Sequence, residues 1–132
     1  MASPHAHPLA RLAELTFQAD DETLVREVRA LVDPAATLRL DGKETDLAGY
    51  LRHLTELRST VEEGTLTVLD EVGEGRTGTV AARVTVRMAM KDGSVVRGES
   101  HLVGRLGDDG RITKVADIGR LLTPEDDPVE QS

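Results

Sequence analysis

The second half of the chain alternates apolar and polar residues with a period of two, which predicts β-strands. Valine, alanine or methionine fills every second position from Val80 to Met90. Similar runs cover 66–72, 96–106 and 112–118, and Gly-containing turns separate them. Short strands joined by such turns are typical of antiparallel hairpins. We therefore expect four consecutive antiparallel strands.

The first half instead spaces its apolar residues by three and four, the period of an amphipathic helix. This spacing predicts helices over 9–19, from the Asp20-Asp21 pair to about residue 32, and from Asp46, the expected N-cap, to Leu57. The Asp33-Pro34 pair ends the second helix, because proline disfavours a helical residue before it. A short strand, 36–40, precedes the third helix.

Helices followed by a run of strands indicate an α+β fold. We expect a curved antiparallel sheet wrapped around the helices, with a cone-shaped, cystatin-like pocket between them. The chain is long enough for one domain, predicted over 9–122. Residues 1–8 are expected to be a flexible N-terminus, and the acidic stretch 123–132 a disordered tail.

Composition excludes several classes of function. The chain has no cysteine, a net charge of −8 and four scattered histidines, so we expect no metal site and no cofactor. The acidic balance disfavours nucleic acid and anionic membranes as partners. No apolar run approaches the roughly 20 residues of a membrane span, and the first residues do not resemble a secretion signal. We therefore expect a cytoplasmic protein.

His101 and Asp117 are the strongest candidate catalytic pair. A last hairpin that aligns residue 106 with residue 112 would set these two side chains opposite each other on one face. A carboxylate beside an imidazole fixes its tautomer and supports general base catalysis. The sequence therefore offers two interpretations, a structural or interface pair, which it favours, and a catalytic dyad.

The length of the turn at Asp92-Gly93 decides between these alternatives. A two-residue loop would pair Val84 with His101 among apolar side chains, inside the pocket. A longer loop would place His101 beside Thr85 on the outer, convex face.

In the predicted strand 66–72, alternation points Asp70 inward. Because a buried unpaired carboxylate is costly, a bulge that exposes Asp70 is the expected solution.

Three stretches together resemble the SnoaL-like branch of the nuclear-transport-factor-2-like (NTF2-like) superfamily. They are LVDPAATLRLDGKETDLAGYLRHL at 31–54, LTVLDEVGEGRTGTVAARVTV at 66–86 and LVGRLGDDGRITKVADIG at 102–119. The resemblance implies a pocket for a small apolar molecule and a homodimer that forms through the sheet. It also implies either a cofactor-independent polyketide cyclase or isomerase, or a non-catalytic ligand-binding or dimeric accessory module.

The sequence departs from the isomerase pattern of this family at its catalytic positions. The general-base aspartate at the end of the first strand aligns with Leu40, and Asp41 follows one residue later. Asp41 is the third candidate catalytic residue, and only a bulge would return it to the pocket, because successive residues of a strand face opposite sides. The position of the family's second acid falls near Leu102. The resemblance implies a largely aliphatic ligand contact surface: Tyr50, Leu54, Val84, Met88, Leu102 and Leu40.

Overall fold

The computed structural model describes residues 7–18, 20–73 and 78–122, which form three helices and six strands. The helices are α1 (Pro8–Gln18), α2 (Asp21–Leu31) and α3 (Leu47–Thr60). The strands are β1 (Val32–Leu40), β2 (Lys43–Thr45), β3 (Val61–Val72), β4 (Gly78–Met90), β5 (Val95–Leu106) and β6 (Ile112–Leu121). The expected acidic tail and the first six residues of the expected flexible N-terminus lie outside the described residues.

Two of the three helices begin where an aspartate can cap them. Asp20 accepts a hydrogen bond from the Thr23 backbone N–H at 2.7 Å, and Asp46 accepts one from Gly49 at 2.8 Å. Each carboxylate satisfies one of the free N–H groups that a helix exposes at its first turn. The predicted N-cap at Asp46 is confirmed, as is the restart of the helix after Asp20.

A buried histidine lies at the start of α1. His7 was placed in a flexible segment, but its side chain is only 7% exposed. Its Nδ1 accepts a hydrogen bond from the Ala10 N–H at 3.4 Å, and its Nε2 lies 2.9 Å from the Val72 carbonyl oxygen. Since Nδ1 accepts, Nε2 carries the proton and donates to Val72. His7 thus caps α1 and ties it to the end of β3.

The sheet is curved, open and mixed, with the strand order β2-β1-β6-β5-β4-β3. The expected α+β class is confirmed, but the sheet is not purely antiparallel, because β1 pairs with β6 in parallel. The strand β2 was not predicted. It follows β1 through a two-residue turn, Asp41-Gly42, in which both residues have positive φ angles of 50° and 87°. That geometry is the tight hairpin turn that an Asp-Gly pair favours.

Two local features set the registers of the long strands. The Met90 N–H donates to the Ser94 carbonyl oxygen at 2.8 Å, so three residues form the turn between β4 and β5. Between β5 and β6 the register shifts by one residue next to the Leu106–Ile112 pair, so that Arg105 faces Lys114. A bulge of this kind changes which residues are partners along the rest of the hairpin.

A second bulge lies near the end of β3, where the pairing shifts between Val68 and Asp70. It places Asp70 opposite Arg83, and the Asp70 side chain is 60% exposed. The predicted bulge that exposes this carboxylate is therefore confirmed.

The helices pack against one face of the sheet, the inner face, and bury the hydrophobic core there. α1 and α3 contribute Leu9, Leu12 and Leu54, and the sheet contributes Val80, Val84 and Leu102, all at most 7% exposed. The alternation predicted for β4 and β5 is confirmed, since even-numbered residues of both strands face the helices. No helix among the described residues is long and apolar enough to cross a membrane.

Candidate active site

A cavity of about 580 Å³ lies between α1, α3 and the inner face of the sheet. Pockets for small organic molecules typically measure about 300–1,000 Å³. Most of its wall is apolar, and five polar side chains gather at the side where β1, β6 and α3 meet: Asp41, Tyr50, His53, Ser100 and Asp117. Lys43 and Glu44 of β2 also line it. The cavity is therefore suited to an apolar molecule with one polar group.

All six residues expected to contact a ligand line this cavity. Leu40, Val84 and Leu102 come from three different strands, and each faces inward in the register of the sheet. Tyr50 and Leu54 lie one turn apart on α3, and Met88 belongs to β4. Their placement agrees with the aliphatic pocket that the sequence suggests. Contact with a ligand remains a prediction.

Asp117 is the most unusual polar group of the cavity. It faces Leu102 of β5 on one side and Leu40 of β1 on the other. Its Oδ1 atom is buried and has no hydrogen-bond partner in the described part of the chain. Burial raises the pKa of Asp117, and the charge of Asp41 raises it further. The Ser100 hydroxyl hydrogen-bonds to the carboxylate and acts in the opposite direction, as do His53 and His101.

Asp41 lies at the same end of the cavity as Asp117, without the bulge that the sequence predicted for this placement. Its φ angle of 50° is in the left-handed region, and this turn of the backbone breaks the alternation of β1. The Asp41 side chain accepts a hydrogen bond from the Gly119 N–H at 2.9 Å. The carboxyl groups of Asp41 and Asp117 therefore lie close together at this end of the cavity. Asp41 is exposed, and Asp117 is mostly buried.

Tyr50 supplies a hydrogen-bond donor to this group. The residue is 8% exposed, and burial raises the pKa of its phenol, with the charge of Asp117 as a second cause. The phenol therefore keeps its proton at neutral pH. A buried neutral hydroxyl in an apolar wall can donate a hydrogen bond to a carbonyl oxygen of a bound molecule.

The predicted pairing of His101 with Asp117 is wrong. The bulge in β6 moves the register by one residue, so His101 faces Ile118 and Asp117 faces Leu102. The three-residue turn after β4 places His101 beside Arg83 on the outer face, where it is exposed. The longer-loop alternative was therefore right about the face, although Arg83 and not Thr85 is the direct neighbour.

Two of the five polar residues gathered at this side of the cavity were not among the sequence candidates. His53 follows Tyr50 by three residues on α3, so the two side chains share one side of the helix. Ser100 precedes Leu102 by two residues in β5 and therefore shares its inward face. Both signals were available once Tyr50 and Leu102 had been placed in the pocket. Among the described residues, no group of three His, Cys, Asp or Glu side chains could hold a metal ion.

Comparison with solved structures identifies the fold. A protein of unknown function from Exiguobacterium sp. 255-15, described as NTF2-like, superposes with a TM-score of 0.74 at 21% identity, over 86% of this chain and 98% of its own. The chain has the NTF2-like fold. Neither the search of family models nor the search of curated proteins gave a match.

Two further neighbours carry a functional description. IdmH of Streptomyces antibioticus, a candidate polyketide cyclase, matches with a TM-score of 0.67 at 23% identity, over 85% of this chain and 91% of its own. A SnoaL-like polyketide cyclase from Agrobacterium tumefaciens matches with a TM-score of 0.63 at 17% identity, over 94% of both chains. At these identities the likeness establishes the fold alone. This is the fold that the sequence resemblance implied.

Proposed function

We propose that this protein binds a small, largely apolar carbonyl compound and catalyses a cofactor-independent acid–base reaction on it, as a cyclase or isomerase. The observation that carries this proposal is the Asp117 carboxyl group, which is mostly buried in an apolar cavity with one oxygen unpaired. Carboxyl groups whose pKa is raised by burial in a cleft are frequent at catalytic sites. The description of two structural neighbours as polyketide cyclases supports the same reaction class.

Asp117 is the general base of this reaction. Its carboxylate removes a proton from the carbon next to the carbonyl group, and the electrons of the broken C–H bond move to the carbonyl oxygen. Burial and the Asp41 charge raise the pKa of Asp117, so its carboxylate is a stronger base than an exposed aspartate. General base catalysis is most efficient when the pKa of the base approaches the working pH.

Tyr50 stabilises the enolate that this step produces. The phenol remains protonated because its pKa is raised, and its O–H donates a hydrogen bond to the negative oxygen. Such a donor acts most strongly in a site that excludes water. Returning the proton from Asp117 to a different carbon completes an isomerisation. Attack of the enolate on a second carbonyl carbon, followed by transfer of the proton to the new alkoxide, completes a cyclisation.

Proton exchange tests this proposal without knowledge of the natural substrate. Incubation of the protein with 1-tetralone, a bicyclic ketone, in D₂O should replace the protons next to the carbonyl by deuterium, as followed by ¹H NMR. Asp117→Asn should lower the exchange rate by about 10²–10⁴-fold, and Tyr50→Phe by about 10²–10³-fold. Affinity for the ketone should change little in either variant, because both groups act mainly in the transition state.

His101→Ala is the matched control, because His101 lies on the outer face and has the smallest of the named effects on the pKa of Asp117. Its exchange rate should stay within about twofold of the wild type. A loss in His101→Ala as large as in Asp117→Asn would contradict the assignment of the base. Binding of the ketone without any catalysed exchange would instead favour the non-catalytic binding module.

The outer face of the sheet is the proposed site of homodimer formation. Two apolar side chains there are strongly exposed, Val103 at 52% and Ile118 at 67%. Apolar residues of this kind beside charged ones are typical of interfaces between subunits. Light scattering at micromolar concentration should give twice the chain mass, and Ile118→Lys should reduce it to one. A monomer mass at every accessible concentration would exclude this dimer.

A further inference from the structure

The turn after β1 is attached to β6 on both sides of Ile118. The Asp41 N–H donates a hydrogen bond to the Asp117 carbonyl oxygen at 2.8 Å. The Asp41 Oδ1 atom accepts a hydrogen bond from the Gly119 N–H at 2.9 Å. Asp41 therefore holds the β6 backbone at Asp117 and at Gly119, on either side of Ile118.

The backbone of Asp41 restricts which residues can make these contacts. Its φ angle of 50° lies in the left-handed region, which is unfavourable for most side chains and is tolerated best by Gly, Asn and Asp. Of these three, only Asn and Asp have a side-chain oxygen that can accept the Gly119 hydrogen bond. Only Asp also adds a negative charge.

Gly119 keeps this arrangement compact. A Cβ atom at this position would lie 3.0 Å from the Ser100 Oγ atom and 4.0 Å from the Asp41 Oδ1 atom. The missing side chain therefore leaves room for the Ser100 hydroxyl, which hydrogen-bonds to Asp117.

We propose that Asp41 is a positioning residue, which holds the backbone around Asp117 in place through two hydrogen bonds and keeps a second negative charge beside the base. This role rests on the proposed function of Asp117 as the general base. It assigns to Asp41 a part in catalysis without contact with the reacting carbon.

The charged surroundings of Asp117 make this effect measurable. The Asp41 charge raises the pKa of Asp117, second only to burial, whereas His53 of α3 and His101 of β5 lower it. The phenol of Tyr50 on α3 faces the same carboxyl group. The remaining charged groups of the cavity wall, Lys43 and Glu44, belong to β2. Removing the charge of Asp41 should therefore lower the pKa of Asp117.

Two substitutions separate the charge of Asp41 from its hydrogen bonds. Asp41→Asn keeps the positive φ angle and the bond to Gly119 but removes the charge. Asp41→Gly removes both charge and side-chain bond while tolerating the same backbone. The titration of Asp117 is followed by ¹³C NMR on protein labelled at the aspartate carboxyl carbons, with the Asp117 signal assigned by its absence in Asp117→Asn.

In both Asp41 variants the Asp117 signal should titrate at lower pH than in the wild type. The acidic limb of the 1-tetralone exchange profile should move to lower pH with it. Hydrogen exchange of the Gly119 amide should stay slow in Asp41→Asn and become fast in Asp41→Gly. The Gly variant should also catalyse ketone exchange about 10–100-fold more slowly than the Asn variant, because the base is less well placed.

Asp46→Asn is the matched control, because it removes one negative charge while the amide oxygen can still cap α3. It should leave the titration of Asp117 unchanged. An unchanged Asp117 titration in Asp41→Asn would overturn the electrostatic part of the inference. Equal Gly119 amide protection in both Asp41 variants would overturn the positioning part. A wild-type protein without ketone exchange would refute the proposed function, and the two NMR measurements would still decide the role of Asp41.

Discussion

The two faces of the sheet each bury one carboxyl group, and they treat it in opposite ways. On the outer face, the Glu99 side chain is 6% exposed and accepts hydrogen bonds from Arg83 at 3.1 Å and from Arg120 at 3.2 Å. Asp70 also pairs with Arg83, at 2.8 Å. The buried Glu99 charge therefore has cationic neighbours, as a buried ion pair requires.

On the inner face, Asp117 has no such compensation. No arginine or lysine of the described residues forms an ion pair with it, and after burial the charge of another carboxylate, Asp41, has the largest effect on its pKa. Its pKa is raised in consequence. A buried carboxylate that is hydrogen-bonded to arginines stabilises the sheet. A buried carboxyl group with an unpaired oxygen can still accept a proton. The comparison thus separates a structural acid from a candidate catalytic one.

The largest expected effect concerns the packing of the inner face. Leu54 of α3 is 3% exposed, so Leu54→Ala should leave a cavity and lower the free energy of unfolding by about 2–5 kcal/mol. Ile118→Ala on the outer face is the matched truncation, and it should change that free energy by less than about 0.5 kcal/mol at concentrations where the protein is monomeric. Denaturant melts measure both. A loss below about 0.5 kcal/mol for Leu54→Ala would mean that α3 does not pack on the sheet as described.

The second prediction compares the two buried acids directly. Glu99→Gln should lower the free energy of unfolding by about 1–3 kcal/mol, because two arginines each lose a charged partner. Asp117→Asn should be at least as stable as the wild type at neutral pH, since it removes a buried, uncompensated charge. Thermal or denaturant unfolding of both variants gives the answer. Equal destabilisation by the two substitutions would contradict the distinction between the faces.

Local features of the fold could be predicted from the sequence because they depend on few residues. A helix cap needs one side chain and one free N–H, so Asp46 was identified correctly. The exposure of Asp70 followed from the cost of burying a carboxylate. The inward phase of Val84 and Leu102 followed from alternation. The parallel pairing of β1 with β6 joins segments far apart in the chain, and no local pattern encodes it.

The position of Asp117 relative to His101 was missed because of one extra residue. Ile112 and Val115 are both buried, and they are three residues apart in the sequence. An odd spacing between two inward residues requires a bulge in a strand, so the signal was present in the apolar pattern of β6. The return of Asp41 to the pocket without a bulge was missed for a related reason. The pairing of Asp41 with Gly42 indicated a tight turn, and the left-handed backbone of such a turn can return a side chain to the pocket.

The smallest expected effect is the dependence of stability on pH, and it follows from the raised pKa of Asp117. The carboxyl group has an ordinary pKa of 3.8 when the chain is unfolded and a higher one in the folded protein. Between these two values the folded state binds more protons than the unfolded state. The wild type therefore loses stability as pH rises through this window, with a slope of at most about 1.4 kcal/mol per pH unit.

Asp117→Asn removes this contribution. Its free energy of unfolding, relative to the wild type, should therefore increase from pH 3.8 upward and level off above the folded pKa of Asp117. Denaturant melts at a series of pH values give this difference, and Asp46→Asn corrects for the change in net charge. Asp20 has the opposite shift, because the Thr23 hydrogen bonds lower its pKa, so Asp20→Asn should lose stability relative to the wild type as pH rises. A difference that falls with pH in Asp117→Asn as well would mean that the inner carboxyl group is compensated like the outer one.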